Sequence, residues 1–170
     1  MAHGPAGHSG ASGGPRDLSA TTVVSGLSGL RSLHGVDLGA ATWQSINQAE
    51  VDTFARLTHD WQWIHNDPER AASGPFGSTI LHGFFTLALA PRFLSELLRV
   101  EDVSLVVNYG LDRVRFPAPA HVGEDLRGRA SVTDVVETGN GLQVTIVLTI
   151  ESRRADKPVC IAHFLSRYWH

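Results

Sequence analysis

The chain has 170 residues, 42% of them hydrophobic and 18% charged, a balance that suits one globular domain large enough to bury a core. With 14 basic residues against 17 acidic ones, the net charge of -3 gives no electrostatic basis for capturing nucleic acid. The single cysteine, Cys160, excludes a disulfide within the chain and a cysteine metal cluster, and it fits a reducing, cytoplasmic setting.

The first residues, "MAHGPAGHSGASGGPR", are rich in Gly, Ser, Ala and Pro and have no apolar period. They read as a disordered tail, in which His3 and His8 are solvated side chains. The expected division is a tail over residues 1–24 and a single domain over 25–170. No charged segment leads into an apolar run, so no secretory signal is expected. Residues 25–34 are predicted to form a short helix, "GVDLG" a lead-in segment and "TWQSI" a first strand.

Asn47 opens the first clear helix, because Glu50 three residues later completes a capping-box pattern. Val51, Phe54, Ala55 and Thr58 follow at helical spacing, and His59–Asn66 is predicted to be a loop. Asp67-Pro68-Glu69 starts a second helix, with Asp67 as its cap and Pro68 at the first helical position. "SGPFG" is a turn cluster. Gly83–Arg99 is predicted to be a long helix, apolar all round from Phe84 to Ala90 apart from Thr86, and so surrounded by other structure. Pro91 kinks or breaks it. The apolar stretch Ile80–Leu98 contains His82, Pro91, Arg92 and Glu96 and is too short to span a bilayer.

From Leu105 onward the pattern is strands. Apolar residues fall on odd numbers to Leu111 and on even numbers at Val114 and Phe116, which calls for a bulge near Gly110. Another strand fills Gly123–Glu137, Gly139-Asn140-Gly141 is a hairpin turn, and Leu142–Ile150 alternates as a half-buried strand. Pro158–Tyr168 is the last strand. The class is therefore α+β, a curved antiparallel sheet wrapped around a long central apolar helix.

The chemistry concentrates in "DWQWIH", where Asp60 and His65 share a loop with Trp61 and Trp63. Apolar neighbours raise a carboxylate's pKa and lower that of histidine, which suits general acid–base work. A structural Asp–His hydrogen bond is the competing reading. His82 packs at the entrance of the apolar helix, and Gly83 begins it, where unpaired N–H groups can receive an oxyanion. Ordinary helix-start chemistry explains the same glycine. A divalent-metal hydrolase using Asp60, His65, Asp67 and His82 is a further alternative, with no HExxH or Cys-x-x-Cys pattern to support it.

The stretch "FARLTHDWQWIHNDPERAASGPFGSTILHGFFTLAL" closely resembles the MaoC-like (R)-specific enoyl-CoA hydratases and dehydratases. It holds an Asp, a His five residues later, an Asp-Pro soon after and a His-Gly before the central helix; "NYGLDRVRFPAPAHVGEDL" resembles the family's strand–turn–strand segment. The resemblance covers roughly residues 36–168. It implies a hot-dog fold, a homodimer or a multiple of one, and an acyl-CoA thioester entering at the subunit interface. It also implies that Asp60 and His65 hold one water and add it across a trans-2-enoyl-CoA, or remove it in reverse, giving the (3R)-hydroxyacyl thioester. The Gly83 N–H would steady the thioester oxygen. Neither metal nor cofactor is implied, coenzyme A being part of the substrate, and no membrane is involved. Trp61, Trp63 and Phe84 are the expected apolar substrate contacts, and at least one of the tryptophans should wall the acyl pocket. Arg113 and Arg115 are candidates for the CoA phosphates, or else solvated strand charges. The chain departs from the family in two places: it carries His59 where glycine commonly precedes the Asp, and its bulky Trp61 and Trp63 would narrow the acyl pocket. A thioesterase on the same fold and a non-catalytic acyl-CoA-binding subunit are the alternative functions.

Overall fold

The computed structural model describes residues 20–170. In chain order the elements are β1 (Thr22–Ser25), α1 (Gly26–Arg31), β2 (Asp37–Ala40), β3 (Gln44–Ser45), α2 (Gln48–Thr58), α3 (Trp63–Asn66), α4 (Pro68–Ala72), α5 (Gly83–Ala88), α6 (Ala90–Leu97), β4 (Leu98–Glu101), β5 (Leu105–Arg115), β6 (Asp125–Thr138), β7 (Gly141–Ser152) and β8 (Cys160–Trp169). The main sheet runs β2-β6-β7-β8-β5, with β3 also on β6, and every pairing in it is antiparallel.

The core lies between this sheet and the helical run α5–α6, with α6 against β6 and α5 against β8. Strand β7 buries Leu142, Val144, Ile146, Leu148 and Ile150 while the residues between them are half-exposed, as period-2 alternation requires. Strand β6 buries Leu126, Ala130 and Val132 on the same principle. Phe93 of α6 is fully buried, and a β-carbon on Gly128 of β6 would lie 2.6 Å from the Phe93 Cβ. Gly128 is thus what lets helix and sheet approach. The result is the α+β hot-dog arrangement, a sheet wrapped around a helix.

The central helix is divided. Leu89 separates α5 from α6, and Pro91 lies in the first turn of the second piece, where its missing N–H costs no helical bond. The second piece ends at Leu97, and Leu98–Glu101 becomes β4 rather than continuing helical to Arg99. Its partner is β1, in a parallel two-stranded ribbon that pairs Thr22 with Leu98 and Ser25 with Glu101. The tail boundary drawn at residue 24 therefore moves toward the N-terminus, because Thr22–Ser25 is strand with its backbone paired. Residues 1–19 of the expected tail, with His3 and His8, lie outside the described residues.

The helix is not enclosed on every side within one chain. Phe84 is 73% exposed. Beside it, β5 sits at the sheet edge with Leu105, Val106, Val107, Tyr109 and Leu111 open to solvent. The predicted bulge is present: the β5–β8 register shifts between Asn108 and Gly110 and again between Leu111 and Arg113. Among the described residues no helix is long and apolar enough to cross a membrane.

Candidate active site

Helix α2 begins as its sequence demands. Asn47 Oδ1 accepts from the Glu50 N–H at 3.1 Å, and Glu50 accepts from the Asn47 N–H at 2.8 Å. It ends at His59, whose backbone is left-handed at φ 60° and ψ 22°. That conformation is easiest for glycine, which is the physical reason a glycine suits the position. The turn carries Asp60 into the open. The predicted loop then closes into the single helical turn α3, which directs His65 inward.

His65 is gripped from several sides. Its Nδ1–H donates to the Ile80 carbonyl at 2.7 Å. A carbonyl can only accept, so the proton is fixed on Nδ1 and the Nε2 lone pair is left free. The Ile80 N–H in turn donates to the Ile64 carbonyl at 3.0 Å. The His65 carbonyl accepts from Gln48 Nε2 at 2.7 Å, and Gln48 Oε1 accepts from the Thr79 hydroxyl at 2.7 Å. Asp52 ties the same amide, at 2.9 Å, to Asn66, at 2.7 Å. Gln48 and the Ile80 carbonyl carry no motif that the sequence could advertise; Gln48 reads there only as part of a helix start.

His82 completes the floor. It is buried, its ring stacks on His65 with centroids 3.8 Å apart and planes at 25°, and its Nε2–H donates to the Asp60 carbonyl at 3.0 Å. Phe54 packs on its other side, 5.2 Å between centroids. A carboxylate oxygen of Asp60 and one ring nitrogen each of His65 and His82 lie within 4.8 Å of one another. That spacing suits a single bridging water between acid and base. It is poorly arranged for chelation, since two nearly parallel stacked imidazoles cannot both aim their in-plane lone pairs at one ion. Asp67 stands apart from the cluster as the cap of α4, accepting from the Arg70 N–H at 3.0 Å.

Burial pushes the His65 pKa below its ordinary 6.5; the bond to Ile80 and the Asp60 charge oppose this, and His82 adds to it. Burial thereby favours the neutral imidazole of His65. It opens on a cleft of about 300 Å³ that Gly83, Thr86, Phe116 and the run Pro117–Ala120 also line. Gly83 heads α5, so its N–H belongs to the first turn, which lacks intrahelical acceptors. A β-carbon there would meet the Phe116 ring at 3.1 Å.

Other expected contacts fall elsewhere in the chain. Trp61 is 56% exposed, and Trp63 packs on Gly74 beneath the Arg70 guanidinium, which sits 4.4 Å from its ring centroid. Neither walls the cleft that holds His65, because α3 turns its histidine inward and Trp63 the other way. Asp60 is consequently exposed rather than enclosed in tryptophan. Phe84 points outward and meets Phe116 edge-on at 6.5 Å. Arg113 and Arg115 are exposed on β5 and outside the cleft.

Comparison with known proteins places the chain in a family. Residues 30–153 match the MaoC like domain family. The chain is 49% identical over 140 residues to 3-hydroxyacyl-thioester dehydratase Z of Mycobacterium tuberculosis strain H37Rv, covering 82% of this chain and 93% of that protein. It is 38% identical over 143 residues to nodulation protein N of Rhizobium leguminosarum bv. viciae, covering 82% and 89%. Among solved structures, the (R)-hydratase of A. caviae involved in PHA biosynthesis superposes with a TM-score of 0.65 at 22% identity, over 78% of this chain and 94% of that one.

Proposed function

The chain belongs to the MaoC-like family and is a hydratase/dehydratase; from this premise we propose that its reaction interconverts a trans-2-enoyl-CoA and the (3R)-3-hydroxyacyl-CoA. The observation that carries the reading is the pairing of the Asp60 carboxylate with a His65 whose free lone pair is set by the Ile80 carbonyl.

In the hydration direction one water sits between the two side chains. It gives a proton to one of them as its oxygen attacks Cβ, and the substrate Cα takes a proton from the site. Negative charge collects on the thioester oxygen, and the Gly83 N–H at the head of α5 is placed to receive it. Acidity at Cα comes from the thioester itself, so the steps above need only this chain's groups.

A homodimer, or a multiple of one, completes the site on this reading. Supporting it are the exposed apolar residues of β5, Leu105, Val106, Val107, Tyr109 and Leu111, with Phe84 and Phe116 beside the cleft, a surface of the kind that a second copy covers. The exposed Asp60 would then be desolvated by the partner. A cytoplasmic location accords with the lone buried Cys160.

Crotonyl-CoA hydration, followed by chiral analysis of the product, tests the reading. The expected product is the 3R alcohol. Formation of the 3S product, or release of free thiol in place of hydration, refutes it.

A further inference from the structure

Alongside the catalytic cleft lies a second pocket, of about 440 Å³, which shares Ala118 and Pro119 with it as a common wall. Its other lining includes His121 and, from the β7–β8 connection, Arg154 and Lys157. The two pockets are tied closely. His121 forms an isolated bridge with Ile80, the residue whose carbonyl holds His65. The β7–β8 connection runs on into Val159, which lines the catalytic cleft.

We propose that Arg154 and Lys157, with His121, bind the phosphate-bearing handle of the substrate while the acyl thioester lies in the cleft across the Ala118–Pro119 wall. The inference rests on the acyl-thioester reading above and names where that substrate's charged end is held.

Three observations carry it. First, both cations are uncommitted. The neighbouring Arg153 pairs with Asp125 at 2.9 Å and Arg127 with Glu151 at 2.9 Å, but among the described residues neither Arg154 nor Lys157 has a carboxylate within 4.0 Å. Second, of the pocket's two acids, Glu124 is buried and bound to the Ser152 hydroxyl, so only Asp156 faces solvent at the rim. Third, a chain of net charge -3 offers a polyanionic thioester no general attraction, so cations placed at the pocket are what would hold its phosphate. Arginine and lysine are the usual phosphate partners. Between the pockets, Pro117–Ala120 offers a small apolar wall, the surface that an uncharged linker arm can follow from cleft to phosphate. Arg113 and Arg115 lack this placement. They stand on β5 outside both pockets, and Arg115 Nη1 donates to the Val114 carbonyl.

The test compares kcat/KM for crotonyl-CoA, crotonyl-4′-phosphopantetheine and crotonyl-pantetheine in the wild-type protein, the Arg154→Ala/Lys157→Ala double variant and Arg154→Glu. Both substituted positions are exposed, and thermal melts confirm folding. The wild type should prefer a phosphate-bearing thioester over crotonyl-pantetheine. The double variant should reduce that preference at least about tenfold, through KM, as loss of charge-assisted contacts requires. If crotonyl-phosphopantetheine shares the loss, the phosphate read is the one common to coenzyme A and carrier proteins. If crotonyl-CoA alone loses, it is a phosphate of the nucleotide end. An unchanged preference overturns the proposal, as does its disappearance in Arg113→Ala/Arg115→Ala instead. A wild-type protein inert toward all three thioesters would instead defeat the underlying thioester reading, and this inference with it.

Discussion

The β6–β7 hairpin and the segment from Asp60 to Gly83 are held by opposite means. The hairpin pairs from Leu126–Ser152 to Thr138–Gly141, with one register shift between Val132 and Asp134, and buries an aliphatic row against Phe93. Its strength is apolar area, spread over many side chains. The Asp60–Gly83 segment has little regular structure. It is fixed by single polar contacts: His65 to Ile80, Gln48 to His65 and Thr79, and His82 to Asp60. The first region should therefore yield stability changes without altered chemistry, and the second altered chemistry at small cost in stability.

The sharpest break in that contrast comes at the acid–base pair. Asp60→Asn and His65→Gln should each lower turnover by about 10²–10⁴-fold, the usual worth of a positioned proton-transfer group. Melting temperatures should stay close to wild type. Near-normal turnover in folded variants of both would end the mechanism.

Phe93→Ala is the mirror case. Removing a fully buried phenyl ring should destabilise by about 3–5 kcal/mol in a denaturant melt, while the folded fraction keeps its kcat. A small stability loss with a large loss of kcat would mean that the core and the site are not separable.

Gln48→Leu probes the polar scaffold at one remove. The substitution deletes the donor to the His65 carbonyl and the acceptor for Thr79. A fall in kcat of about tenfold with KM little changed is expected from a slightly displaced base. An effect on KM alone would assign Gln48 to substrate contact.

The pH response follows from the direction of the His65 shift. Its folded pKa lies below 6.5, mainly through burial, so kcat/KM should rise with pH to a midpoint below 6.5 and then level off. Stability moves the same way. Between the folded pKa and 6.5 the unfolded chain binds more protons, so stability is complete above about 6.5 and is lost as pH falls toward the folded value. His82→Phe removes the neighbouring charge that helps depress the pKa while keeping an aromatic ring in place, and should move the midpoint up toward 6.5. A midpoint moving down would show that His82 acts on the base in the opposite sense.

The smallest expected effect is at His59. Replacing it by glycine relieves a left-handed non-glycine residue and should change stability by no more than about 1 kcal/mol, the turn cost of a β-carbon there being partly offset by glycine's freedom in the unfolded chain. Activity should be retained. A large loss would give the His59 imidazole a chemical part that the backbone geometry does not require.

Regions whose structure depends on local repetition were legible without coordinates. The alternation in β7, the Asn47–Glu50 box, the Asp67-Pro68 start and the bulge near Gly110 each follow from residues a few positions apart, and each is present. The spacing of Asp60 and His65 and the His82-Gly83 step likewise marked out residues that the fold brings together. Tertiary structure alone decided what those residues touch. The tryptophans of "DWQWIH" were expected around the acid–base pair because they adjoin it in sequence, yet one helical turn at α3 sends His65 inward and leaves Trp63 over Gly74. The end of the central helix was likewise set from a distance: Leu98–Glu101 turns to strand because Thr22–Ser25, over seventy residues away, supplies its backbone partners. The tautomer of His65 depends on a carbonyl at Ile80, an atom that every residue possesses and no sequence distinguishes. Side-chain identity and spacing carry local structure and chemical type; backbone partners and facing neighbours exist only once the chain has closed on itself, and here they fix the orientation of the base.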